Sequence, residues 1–81
     1  MNPRVAFTDL GDYQISTAAL PYAYSAADGW LVWFETMIFA TNEADLKHGM
    51  RWRCSTRADA ELQHQMAVWY CEFPEKYAAT D

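Results

Sequence analysis

The stretch that decides the fold is WLVWFETMIFA, residues 30–40. Aromatic and β-branched side chains dominate it, and such side chains fit the pleated surface of a β-strand. Alternate side chains of a strand point to opposite faces, and here both faces are apolar. A strand of this kind is expected at the centre of a sheet that is covered on both sides. One face would carry Trp30, Val32, Phe34, Thr36 and Ile38, and the other Leu31, Trp33, Glu35, Met37 and Phe39.

Two segments with a period of two predict the neighbouring strands. In residues 12–20, Tyr13 and Ile15 alternate with polar side chains, which indicates a strand with one wet face. In residues 49–56 the pattern repeats, with a basic second face. The two faces of that strand would carry Met50, Trp52 and Cys54 on one side and Arg51, Arg53 and Ser55 on the other.

The remaining segments predict a short first strand and two loops. Val5 and Phe7 are spaced as in a strand. Residues 22–29 end in a turn signal, and residues 41–49 are polar enough for a connecting loop.

A C-terminal helix is predicted to begin after Thr56. The Thr56 hydroxyl can accept a hydrogen bond from the amide of Asp59, and an acid in the first turn is favoured by the helix dipole. Pro74 would end the helix, and residues 75–81 would fray. Apolar side chains at steps of four, four, three and four predict one stripe that faces the sheet: Ala58, Leu62, Met66, Trp69 and Phe73.

The expected architecture is α+β, a single domain over residues 1–81. It has a three- or four-stranded antiparallel sheet and one C-terminal helix packed on one face. A length of 81 residues suits one domain, and 52% apolar residues exclude disorder. The longest apolar stretch is shorter than the roughly 20 residues of a membrane helix, and no signal peptide is expected. Cys54 and Cys71 would then be free thiols in a reducing cytoplasm.

One helix covers only one face of a small sheet, so the second face of residues 30–40 is left without a layer to cover it. Tryptophan, methionine, phenylalanine and arginine are enriched where proteins bind proteins. We therefore expect a partner-binding surface, in which Glu35 could pair with a neighbouring arginine. Its residues are Trp33, Met37, Phe39, Arg51 and Arg53.

Three occupants of this face remain open from the sequence. The chain itself could cover it, through residues 2–10 or through residues 22–28, where Tyr22 and Tyr24 are large enough to help. A second copy could cover it in a homodimer. A host or phage protein could bind it instead, because a contiguous apolar patch on so small a monomer is unusual unless it binds something.

Catalytic and metal-binding patterns are weak in this chain. The spacing of His48, Cys54, His64 and Cys71 matches no zinc pattern, so no metal or other cofactor is expected. A cysteine nucleophile would need an activating partner that the sequence does not indicate. His64 is expected to make a structural hydrogen bond at the edge of the helix, and the protein is not expected to be an enzyme.

The net charge of the chain indicates whether it could bind nucleic acid directly. Six basic and eleven acidic residues give a formal charge of −5, which disfavours direct binding to nucleic acid. Acidic residues could instead imitate nucleic acid towards a basic partner, although they are spread evenly along the chain.

Four strings resemble a family of small phage and prophage proteins: YQISTAAL (13–20), FETMIF (34–39), MRWRCST (50–56) and ADAELQHQMAV (58–68). That family carries a strand like V-S-T-V-x-L and a strand reading F-E-T-M-V-F. An R-Y-S-T string then opens a helix of the type E-A-x-x-G-H-x-x-M-V. Here Cys54 replaces the tyrosine and Gln63 the glycine. The family's L-G-L-D-H segment is replaced by LPYAY at residues 20–24.

The resemblance implies a phage or mobile-element origin and a location in the host cytoplasm, and it implies no activity. The expected function is that of a small acidic accessory protein that acts by binding protein, most concretely an inhibitor of a host defence system of the anti-CRISPR kind. The alternative is a homo-oligomeric structural or regulatory phage protein.

Overall fold

The computed structural model describes residues 4–20, 24–26, 29–31 and 33–73, with only the backbone of the two short central segments. Within these ranges, six strands precede one helix. They are β1 (Arg4–Asp9), β2 (Tyr13–Ala19), β3 (Tyr24–Ala26), β4 (Gly29–Leu31), β5 (Phe34–Ala40), β6 (Arg51–Cys54) and α1 (Arg57–Glu72).

The predicted α+β architecture is confirmed. Four strands form an antiparallel sheet in the order β1-β2-β5-β6, and α1 lies against one face of it. The two central strands pair with Ile15 opposite Ile38 and Thr17 opposite Thr36. These four side chains face α1 and are fully buried, because alternation along each strand brings them to the same side.

The prediction of one continuous strand over residues 30–40 is wrong. The β2–β5 ladder ends at the pair formed by Ala19 and Phe34, and Trp33 lies just before β5. Further upstream, β4 pairs with β3, with Ser25 opposite Trp30, so the predicted loop over residues 22–29 contains a strand of a small hairpin. A nearby partner is favoured because closing a short loop costs little chain entropy.

The helix begins where the sequence predicts. Thr56 caps it, and its Oγ1 accepts a hydrogen bond of 3.1 Å from the amide of Asp59. The helix ends at Glu72, and the amide of Phe73 donates to the carbonyl oxygen of Trp69 over 2.8 Å. The predicted role of Pro74 and the predicted fraying of residues 75–81 lie outside the described residues.

The predicted sheet-facing stripe of α1 is wrong, because its large side chains point outward. Leu62, Met66, Trp69 and Phe73 are 64%, 60%, 46% and 52% exposed, and Ala58 is exposed as well. The face that packs on the sheet is made of smaller side chains and one histidine: Ala60, His64, Ala67, Val68 and Cys71.

Two physical reasons favour the observed face of α1. The sheet already supplies bulky side chains to the interface, including Met50, Trp52 and Tyr13, so small helix residues allow close packing. The buried hydroxyls of Thr17 and Thr36 also need polar partners, since an unpaired buried polar group is costly. A polar side chain on the facing helix meets that need.

Turn chemistry fixes the ends of the strands. Gly11, in the β1–β2 turn, has a φ of +91°, a region that glycine adopts without a steric cost. The Asp9 carboxylate accepts from the amide of Gly11 over 2.9 Å. In the predicted connecting loop, residues 41–49 contain turns and neither helix nor strand, and the Tyr13 hydroxyl donates to the Asp45 carboxylate.

Candidate functional site

The sheet surface opposite α1, which we call the open face, contains four of the five predicted binding residues. The strand register forms it in three rows across the sheet. One row holds Arg4, Ala18, Glu35 and Arg53, the next Phe7, Ser16, Met37 and Arg51, and the third Asp9, Gln14 and Phe39.

Met37 and Phe39 supply the large apolar side chains in the middle of the open face, where they lie among Gln14, Ser16 and Glu35. Arginines stand at both edges. Phe39 is 42% exposed, and Met37 is half-buried. Arg4 on β1 lies over the ring of Phe7, with its guanidinium carbon 4.7 Å from the ring centroid. An apolar centre with a cationic rim is typical of surfaces that bind proteins.

The expected ion pair on this face is present. Arg53 Nε donates to Glu35 Oε2 over 3.0 Å. The Arg53 side chain is 43% exposed, so solvent screens the pair and it adds little to stability. The pair instead fixes the position of the Arg53 guanidinium beside the central strand β5.

Trp33 differs from the other predicted binding residues. It is half-buried, and its carbonyl oxygen accepts from the amide of Leu20 over 2.9 Å. Its indole Nε1 is buried and has no hydrogen-bond partner among the described residues. The structure therefore places Trp33 at the end of the ladder, beside the rows that form the open face.

The expectation that residues 2–10 fold across the open face is wrong for the described part of that segment. Residues 4–9 form β1, an edge strand of the same sheet. Pairing satisfies backbone groups that a segment lying across the sheet would leave unbonded. The side chains of residues 22–28, the other candidate cover, lie outside the described residues.

The outer side of α1 forms a second apolar surface, which sequence reasoning missed. We call Leu62, Met66, Trp69 and Phe73 the outer ridge. Beside it lies a groove of about 510 Å³ between α1 and β6. The groove is lined by Trp52, Asp59, Leu62, Gln63, Met66, Ala67 and Tyr70.

A polar cluster fills the buried contact between α1 and the sheet. His64 Nδ1 lies 2.7 Å from Thr17 Oγ1, and Nε2 lies 2.9 Å from Thr8 Oγ1. Thr17 and Thr36 share a hydrogen bond of 2.6 Å. Gln63 Nε2 donates to Thr36 Oγ1 and also to a β6 carbonyl oxygen, both over 3.0 Å.

This cluster gives His64 a structural environment. The residue is 7% exposed, and burial lowers its pKa, because the charged imidazolium is poorly solvated there. The predicted structural hydrogen bonding of His64 is confirmed, whereas its predicted place at the helix edge is wrong. Both ring nitrogens are engaged by threonines, so the imidazole lies in the contact between helix and sheet.

The two thiols lie in surroundings that disfavour the thiolate. Burial raises the pKa of Cys71 and of Cys54, and Cys54 Sγ lies 3.7 Å from the carbonyl oxygen of Thr56. A nucleophilic cysteine needs a lowered pKa and access to solvent. Within the described ranges, no three metal-ligating side chains come together.

Comparisons with known proteins give no further assignment. The chain matches no protein-family model, and searches against curated proteins and solved structures find no significant match. The resemblance to small phage proteins thus stays a prediction. The strings that carry it do supply the buried cluster, since they contain Thr17, Thr36 and His64. In the described part of the chain, no helix is long and apolar enough to span a membrane.

Proposed function

We propose that the protein acts by binding another protein through the open face, and that it is a phage-encoded inhibitor of a host defence system of the anti-CRISPR kind. One observation carries the proposal. The exposed ring of Phe39 lies on the sheet face opposite α1, with Met37 two residues before it on β5 and Arg51 opposite Met37 on β6. Such residue types contribute most to binding energy in protein interfaces.

Charge indicates what kind of partner the open face suits. The chain has a net charge of −5, yet three of its six basic residues, Arg4, Arg51 and Arg53, lie on this face. The carboxylates that share it are Asp9 and Glu35. The face is therefore positive on a negative protein, and it suits an acidic protein surface with an apolar centre.

An inhibitor that acts by occlusion needs a rigid surface and no catalytic group. The buried cluster around His64 fixes α1 against the sheet, and this holds the strands that form the open face. The resemblance to phage proteins supports a role inside an infected cell. Binding to a surface of a large defence complex would be enough to block that complex.

Phage plating on defended bacteria tests this proposal. The protein is expressed in a panel of strains that each carry one active CRISPR–Cas system, and a targeted phage is plated on them. We expect plating to recover by orders of magnitude in at least one strain. Phe39→Glu and Arg51→Glu should abolish the recovery, whereas Gln65→Ala on the outer side of α1 should retain it. The proposal is contradicted if phage plating still recovers with both open-face variants. It is also contradicted if the unchanged protein restores plating in none of the strains.

Self-association through the open face is the alternative. It predicts a dimer that Phe39→Glu converts to a monomer, together with no change in plating.

A further inference from the structure

We infer that the outer ridge and the groove beside it form a two-fold interface with a second copy of this chain. The inference goes beyond the proposed function, since it concerns the opposite side of the molecule. The dimer does not depend on whether the open face binds a partner.

The spacing of the outer ridge is that of a helix–helix seam. Leu62, Met66, Trp69 and Phe73 follow one another at steps of four, three and four, which is the a/d spacing of a heptad. A surface helix normally turns such a stripe towards its own core. Here the side chains of the stripe are 46–64% exposed, because small residues occupy the sheet-facing side.

Charge favours a second copy as the occupant. The helix segment 62–71 contains no aspartate, glutamate, lysine or arginine, in a chain that is 21% charged. The flanking side chains Gln63 and Gln65 are polar and neutral. Asp59, which precedes this segment, is the charged side chain that lines the groove. Two copies that each carry a charge of −5 repel least where they meet along the uncharged segment itself.

This surface contains both parts that a two-fold interface needs. Such an interface uses the same patch on both copies, so that patch must contain both the projecting and the receiving parts. The projecting part is Trp69, which is 46% exposed, and the receiving part is the groove of about 510 Å³, whose walls include Leu62 and Met66. Both lie on one side of α1.

The area available fits a weak dimer. An aromatic side chain buries about 150–250 Å² when covered, so Trp69 and Phe73 each have about 100 Å² left to bury. With the other ridge side chains and the groove walls, two copies approach the lower end of specific interfaces, about 1,200 Å². We therefore expect a weak dimer that forms only as the protein concentration rises.

The geometry leaves the open faces available. The helix and the open face lie on opposite sides of the sheet, so pairing through α1 turns the two open faces away from each other. A dimer of this kind would present two equivalent binding surfaces.

Sedimentation of the full chain across about 1 to 300 μM tests the inference. We expect the mass to rise from 9.3 kDa to twice that value. Met66→Glu places two carboxylates at the seam, one from each copy. It should raise the dissociation constant of the dimer at least tenfold, because a close pair of like charges is unfavourable. Phe39→Glu, an equivalent change on the open face, should leave the dimer intact.

Peroxide oxidation of the unchanged protein gives a second measurement that does not depend on a variant folding. Oxidation of Met66 should slow as protein concentration rises, whereas that of Met37 on the open face should not. A monomer throughout the range overturns the inference, and so does a dimer that Met66→Glu leaves unchanged. The plating result with Met66→Glu is independent, because the open face of that monomer is intact.

Discussion

Replacing His64 by alanine should remove most of the stability of this fold. The change takes away both ring hydrogen bonds, to Thr17 at 2.7 Å and to Thr8 at 2.9 Å. Leaving a buried hydroxyl short of a partner costs about 1–3 kcal/mol. The lost imidazole also leaves a cavity at a site that is 7% exposed.

The combined cost of the unpaired hydroxyl and the cavity can be compared with the free energy of unfolding of the whole domain. Large-to-small changes in a core cost about 2–5 kcal/mol. With about 1–3 kcal/mol for the unpaired hydroxyl, we expect His64→Ala to lower the free energy of unfolding by about 3–8 kcal/mol. A domain of this size has a free energy of unfolding of about 4–12 kcal/mol. The variant should therefore be marginally folded.

Urea unfolding followed by circular dichroism measures this loss directly. His48→Ala is the matched control, because His48 is half-buried and accepts one hydrogen bond, of 3.0 Å, from the amide of Ala40. We expect His48→Ala to lower the free energy of unfolding by about 1 kcal/mol. A loss for His64→Ala no larger than that of the control would refute the reasoning, since the cluster would then be dispensable.

Three further predictions concern protonation and reactivity. Because burial lowers the pKa of His64, the unfolded chain takes up a proton near pH 6.5 before the folded chain does. Stability should therefore be constant above pH 6.5 and fall below it in unfolding titrations, and a flat profile between pH 7 and 5 would contradict this. The Asp45 carboxylate beside Tyr13 raises the pKa of that phenol to about 12. Ultraviolet titration of Tyr13→Phe should therefore lose a phenol that ionises above the ordinary range, and an unchanged curve would count against the contact. Burial raises the pKa of Cys54 and Cys71, so both thiols should react with a mild alkylator more slowly than a free cysteine at neutral pH; a fast thiol would instead indicate a catalytic cysteine.

Local signals in the sequence predicted much of the fold. Alternation over residues 12–20 and 49–56 indicates β2 and β6, and the pair of Thr56 with Asp59 indicates the start of α1. These signals are local because strand faces and helix caps depend on neighbours within a few residues.

The face of α1 could not be predicted by hydrophobicity. Two stripes on this helix share the steps four, three and four, one through Leu62 and Met66 and one through Ala60 and His64. Hydrophobicity favours the first, and the structure uses the second. The missing information is on the facing strands, where Thr17 and Thr36 are buried and need a polar partner. Reading the threonines together with His64 would have pointed to the observed face.

The break at Trp33 depends on whether residues 29–31 pair with β2 or with β3, and the sequence of residues 30–40 does not determine this choice. Residues 30–40 have strand-forming side chains throughout. Whether residues 29–31 continue the ladder with β2 or pair with β3 depends on which partner is closer. Met37, Phe39, Arg51 and Arg53 keep their predicted common face despite this break, since all four lie within β5 and β6.

Labelling of a cysteine introduced at position 39 tests most directly whether the open face is available for binding. In Phe39→Cys the new thiol replaces a ring that is 42% exposed, while the native thiols are buried or half-buried. We predict that it reacts with a thiol reagent in the folded monomer nearly as fast as in urea. Strong protection of this thiol in the native monomer would show that another part of the chain covers the face, and it would contradict the proposed docking surface.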